Sequence, residues 1–187
     1  MREFVIHFLK KNLPPSYYFH NYEHTLYVTD KVVEIGQQED CREQDIKLLT
    51  AAALWHDTGY TKTYADHEEE SCALAQRYLP EYGYSTAEIQ TICGMIMATK
   101  IPQSPKNKLE EIIADADLEY LGTDSAGIKA DNLFLELQSL NPLLTKAVWD
   151  QTQISFLQKH RYFTRFCIEN REPAKQLYLN KLQNVIG

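Results

Sequence analysis

Long apolar runs are missing from this chain, and none approaches the roughly 20 residues a membrane-crossing helix needs. The sequence therefore predicts a protein with no membrane partner. Runs of β-branched residues bounded by hairpin turns are nearly absent, which argues against sandwiches and barrels. The four cysteines (Cys41, Cys72, Cys93 and Cys167) are widely spaced and form no CxxC pair, so the reading is of reduced thiols in a cytoplasmic protein. Seven glycines and seven prolines are too few for a loop-dominated chain, and there is no internal repeat. Positive charge is also short. Nineteen Lys and Arg against 26 Asp and Glu leave a net charge of −7, which argues against nucleic acid as a partner. A small phosphorylated substrate is still compatible, because a bound cation supplies positive charge locally.

Helical periodicity fills the space these absences leave, and the sequence predicts one all-α domain over residues 1–187. The opening stretch MREFVIHFLKKNLPP lacks a small-residue cleavage site and reads as an amphipathic first helix ended by Pro14-Pro15. Asn21 opens a helix to about Gln38. Asp45 to His56 is the most apolar segment, and its Ala51-Ala52-Ala53 run suits a central helix packed closely by neighbours. Gly59 is expected near that helix's C-terminus. Further helices are predicted over 67–79, from a Ser85/Glu88 capping box to about Ala98, and over 108–121. Others are expected at about 126–138, 144–158 and 172–184, while residues 101–107 form a polar loop.

Four polar residues stand out against this background: His24, the adjacent pair His56-Asp57, and an aspartate at the end of the 108–121 helix. Two imidazoles with two carboxylates suit one divalent cation such as Mn²⁺, Fe²⁺, Co²⁺, Ni²⁺ or Mg²⁺, with positions left for water and a phosphate oxygen. Neighbours on a helix point about 100° apart. His56 and Asp57 can still reach one ion if the backbone leaves helical geometry between them and Gly59. His20 lies four residues before His24, beside the helix start, and is a candidate substrate group. Asp115 and Asp117 point in different directions, and spacing alone does not choose between them.

The flanking residues carry a resemblance. Tyr18-Phe19-His20-Asn21-Tyr22-Glu23-His24, Ala53-Leu54-Trp55-His56-Asp57-Thr58-Gly59-Tyr60 and Asp115-Ala116-Asp117-Leu118-Glu119-Tyr120-Leu121-Gly122 look like the signature blocks of the HD superfamily of metal-dependent phosphohydrolases. His67-Glu68-Glu69-Glu70-Ser71 and Gly94 to Lys100 also resemble the small single-domain bacterial members. The ordered match spans about residues 18–122, with C-terminal helices over about 123–187. It implies an all-α helical bundle and one cation on His24, His56, Asp57 and Asp117, the second aspartate of the Asp-Ala-Asp-Leu run matching the family ligand. Two-metal members carry extra histidines before the last aspartate. Here only His67 stands there, with Thr99-Lys100 where another would be expected, so a mononuclear site is favoured.

The resemblance also implies hydrolysis of a phosphate ester, often of a nucleotide, by attack of a metal-activated water. Asp57 would orient that water, and His67 or Glu68 would take or relay its proton, with Glu70 a further candidate. Lys100 is expected to face the pocket and neutralise phosphate. His160 and Arg161 are candidate phosphate contacts from the C-terminal segment, with Tyr162 stacking on a base. The competing class is a regulatory module that senses a nucleotide with the same metal pocket and little turnover. A homodimer is compatible with all of these readings.

Overall fold

The computed structural model describes residues 1–186; Gly187, the last residue of the expected domain, lies outside them. Every regular element among the described residues is helical. In chain order these are α1 (Arg2–Asn12), α2 (Tyr22–Gln38), α3 (Glu43–Trp55), α4 (His67–Tyr78), α5 (Thr86–Ala98), α6 (Lys108–Asp117), α7 (Ala126–Leu140), α8 (Lys146–Lys159), α9 (Arg165–Asn170) and α10 (Glu172–Ile186). Short 3₁₀ turns at Thr58–Thr61, Leu79–Tyr82 and Glu119–Gly122 join some of them.

Local chemistry explains most of the starts. The Asn21 side chain accepts from the backbone N–H groups of Glu23 and His24, two of the donors that a helix N-terminus leaves unpaired. Ser85 and Glu88 form the expected reciprocal capping box at α5. Asn107 caps α6 as Asn21 caps α2, accepting from the backbone N–H groups of Leu109 and Glu110.

α3 is the central element. Ala51, Ala52 and Ala53 are fully buried, and their small side chains admit α2, α5 and α6 at close range. Its own Leu49 and its apolar neighbours Val28, Val32, Ile35, Ile92, Ile96, Ile112 and Ile113 form one core. A second, smaller cluster forms where α8 and α10 meet the turn after α6, through Leu118, Tyr120, Leu121, Ile154, Leu157 and Leu179. The C-terminal helices therefore cover one end of the earlier bundle.

The structure departs from the sequence expectations at a few points. α9 has no counterpart in them, being only six residues long. The helix expected over 108–121 stops at Asp117, and a 3₁₀ turn at Glu119–Gly122 follows it. Gly59 does not terminate α3, which ends four residues earlier at Trp55. Its role is close approach: a Cβ there would lie 1.9 Å from the His67 carbonyl oxygen. The Gly59 N–H donates to Ser71 Oγ at 2.8 Å, so the turn docks flat on the first turn of α4.

Candidate metal centre

Three helix ends meet where the four polar residues lie. His24 is the third residue of α2, in the turn organised by Asn21. His56 directly follows α3 with helical angles (φ −56°, ψ −39°), whereas Asp57 has left the helix (φ −104°, ψ 5°). That one change at Asp57 lets two adjacent side chains share a point, as the sequence required. Asp117 is the last residue of α6.

Their atoms converge. His24 Nε2 lies 2.9 Å from Asp117 Oδ1 and 3.5 Å from Asp57 Oδ2. His56 Nε2 lies 3.2 Å from Asp57 Oδ2 and 3.5 Å from Asp117 Oδ1. Bonds of about 2.0–2.2 Å from one ion to nitrogen and oxygen ligands put neighbouring ligand atoms roughly 3 Å apart, so these separations suit a shared cation. His24, His56 and Asp117 alone form a group able to hold one. Asp57 adds a second carboxylate on the same side.

Two further observations favour a cation here. His56 Nδ1 lies 2.8 Å from the Ala53 carbonyl, an oxygen that only accepts, so this nitrogen carries the proton and Nε2 presents its lone pair to the cluster. Yet His56 Nε2 and Asp57 Oδ2 are buried without a hydrogen-bond partner. Nearly every buried polar atom in a folded protein is paired, and a metal ion pairs both at once. The field has the matching sign. Burial disfavours charge on His56, but Asp57 and Asp117 outweigh it and push its pKa well above the usual imidazole value. Burial likewise disfavours ionised Asp117, yet His24 and His56 hold it below the ordinary carboxylate range. A site that draws a proton onto a buried imidazole also draws a metal cation.

Asp115, two residues away, does something else. It is fully buried and accepts from the backbone N–H groups of Phe163 and Thr164 and from the Thr164 hydroxyl, at 2.6–3.2 Å. It fastens the segment after α8 to α6 and does not join the cluster.

The remaining candidates fall into two groups. Asp57 and Asp117 line a cavity of about 480 Å³, together with His20, His67, Glu68 and Lys100. His67 Nε2 is 3.5 Å from Asp57 Oδ1 and 3.6 Å from Glu68 Oε1, and its ring stacks on Tyr60 at 3.7 Å between centroids. Glu70 is exposed on the outside of α4. Lys100 reaches the cavity, but its ammonium is held by Asp66 at 2.7 Å and Glu69 at 2.6 Å. His160 and Arg161 line a separate, smaller hollow. Tyr162 is buried, and its hydroxyl donates toward the Leu118 and Glu119 carbonyls, so it is core and not a stacking surface.

Glu136 of α7 is the residue that sequence reasoning missed. Fully buried, it accepts from the backbone N–H groups of Phe19 and His20 at 2.9 Å, from Tyr64 at 3.1 Å, and pairs with His20 Nδ1 at 2.5 Å. Its signal was an acid inside the apolar run Leu133-Phe134-Leu135-Glu136-Leu137. Burial opposes its ionisation, but the His20 contacts prevail and lower its pKa.

The family model for the HD domain matches residues 21–119, 99 of the 187 residues. The chain belongs to the HD domain family. His24, His56, Asp57 and Asp117 all fall inside the matched stretch, whereas Glu136 and α8 lie beyond it. Among solved structures, a predicted HD superfamily hydrolase from an uncultured Thermotogales bacterium has a similar fold, with a TM-score of 0.64 at 17% identity. The similarity covers 99% of this chain and 92% of that one. No curated protein matches the chain. No helix among the described residues is long and apolar enough to cross a membrane.

Proposed function

We propose that this HD-domain protein is a metal-dependent phosphohydrolase that cleaves a phosphate ester of a small metabolite, the nucleotides among them. The observation that carries the reading is the unpartnered buried pair His56 Nε2 and Asp57 Oδ2, beside His24 and Asp117, in a cluster whose two aspartates line a cavity. When bound, a divalent ion supplies Lewis acidity and lowers the pKa of a coordinated water. His24, His56, Asp57 and Asp117 are the residues that would hold it.

The chain's own groups account for the rest. Asp57 orients the attacking water, whose oxygen bonds to phosphorus as the ester P–O bond breaks. His67, between Asp57 and Glu68, takes the water's proton and relays it to Glu68. His20 Nε2, 3.2 Å from the Tyr60 hydroxyl, is turned to the phosphate or to the departing oxygen, which takes up a proton from solvent as it leaves. Glu136 fixes its ring, so His20 needs no reorientation during the reaction. Lys100 stays with Asp66 and Glu69 and adds little free positive charge. The sequence favours one ion, and Asp57 and His67 are the residues that would hold a second.

The test is metal analysis of the purified protein followed by phosphate release from a panel of phosphorylated metabolites. Stoichiometric metal with phosphate release supports the reading. Metal with ligand binding but no release supports the sensor alternative. Wild-type rates in His56→Ala would refute the site.

A further inference from the structure

The cavity beside the metal cluster has two unlike ends. At one end stand Asp57, Asp117, Glu68 and His67. The other is walled by Leu133 and Leu137 of α7, by Trp149, Phe156 and Leu157 of α8, and by Tyr178 of α10. A nucleoside polyphosphate suits neither end. Among the described residues that line the cavity Lys100 is the one Lys or Arg, and two carboxylates already hold it. The second and third phosphates would face Asp66 and Glu68 without a free cation. A nucleobase would bring several donors and acceptors among apolar side chains, where unpaired polar groups are costly.

The polar groups at the apolar end are mostly committed. Gln153 accepts from Tyr178 at 3.0 Å and donates to Asp150 at 3.3 Å, and the Thr152 hydroxyl donates to the Val148 carbonyl at 2.8 Å. One is not. Trp149 is 6% exposed, lines the cavity, and its indole N–H is buried with no partner.

We infer that the ligand is a phosphate monoester of a compact apolar alcohol, alkyl or aryl. The inference narrows the substrate class of the proposed phosphohydrolase and rests on that reading for the phosphate end only. A volume of about 480 Å³ is in the range of pockets that enclose a small molecule.

Calorimetric titration of the Mn²⁺-loaded protein with non-hydrolysable phosphonates tests it without relying on turnover. Each buried methylene strengthens binding by up to about fourfold, so hexylphosphonate should bind at least about 10-fold more tightly than methylphosphonate and than ATP. Leu137→Asn should shrink the hexyl-to-methyl ratio by about threefold or more. Ratios within one variant do not depend on how much of it folds. Equal affinity for the two alkyl phosphonates, tighter binding of ATP, or no binding of any phosphonate overturns the inference. Hexyl preference without phosphate release from hexyl phosphate keeps the ligand class and refutes the hydrolase. Release from ATP with no alkyl preference does the reverse.

Discussion

The half of the cavity that holds Asp57, His67, Glu68 and Asp117 differs in kind from the half built by α7, α8 and α10. In the first half, polar atoms are aimed by backbone: Asn21 caps the turn of His24, the Ala53 carbonyl fixes the His56 tautomer, and Gly59 lets α4 approach Asp57. In the second, leucines and aromatic residues line the space, with Gln153 as a buried polar point among them and Glu136 behind the wall on α7. Reaction chemistry resides in a few residue types at fixed positions, whereas ligand choice resides in the shape of an ordinary apolar wall. The two are joined at the turn after Asp117, where Glu119 is fully buried and binds Tyr27 of α2 and Arg171 just before α10.

Removing a ligand should break the first half alone. His56→Ala is expected to lose stoichiometric metal and at least about 100-fold in activity, since even residues that merely support metal ligands cost 10–100-fold. Elemental analysis and phosphate release measure the two effects, and far-ultraviolet circular dichroism should show the helices intact.

Two glycines separate the halves by packing. A Cβ on Gly59 would meet the His67 carbonyl oxygen at 1.9 Å, and one on Gly122 would meet the Arg171 carbonyl oxygen at 2.4 Å. Alanine at either should destabilise the fold by about 3 kcal/mol in urea titrations, the upper range for overpacking. Gly59→Ala should also lower metal affinity. Gly122→Ala should weaken alkylphosphonate binding more than metal binding.

Acid should strain the C-terminal half through His160. Burial first, and Lys175 beside it, lower its pKa to about 4. The folded chain then binds fewer protons than the unfolded chain between about pH 6.5 and 4. Stability is complete above that window and falls as the pH drops through it. At pH 5 the loss from this residue is about 2 kcal/mol. The pH 7 to pH 5 difference in unfolding free energy should therefore be smaller in His160→Gln than in wild type. An equal difference would remove His160 from the acid response.

Glu136→Gln tests the place where the second half touches the first. It keeps the volume but weakens the hold on His20, and should lower kcat by about 10-fold with metal content unchanged. A rate within twofold of wild type would show that His20 needs no such anchor.

How much the sequence revealed follows the same division. The helices capped by Asn21 and Ser85 were legible because their capping residues are specific. His24, His56 and Asp57 were legible as a donor set, but Asp117 needed either the resemblance or the observation that Asp115 bonds Thr164, 49 residues later. Gly59 was read as a helix end because a sequence does not show which backbone will approach it. His160 and Arg161 were placed by composition, and the chain turns them toward a separate hollow. Glu136 escaped because an acid within an apolar run has no meaning until the fold brings it its partners, here Phe19, His20 and Tyr64.

Anomalous scattering from crystals grown with Mn²⁺ tests the central assignment most directly. The expected result is one strong peak bounded by His24 Nε2, His56 Nε2, Asp57 and Asp117, absent in His56→Ala crystals. No peak there, or a peak that persists unchanged in the variant, would contradict the metal centre on which the functional reading depends.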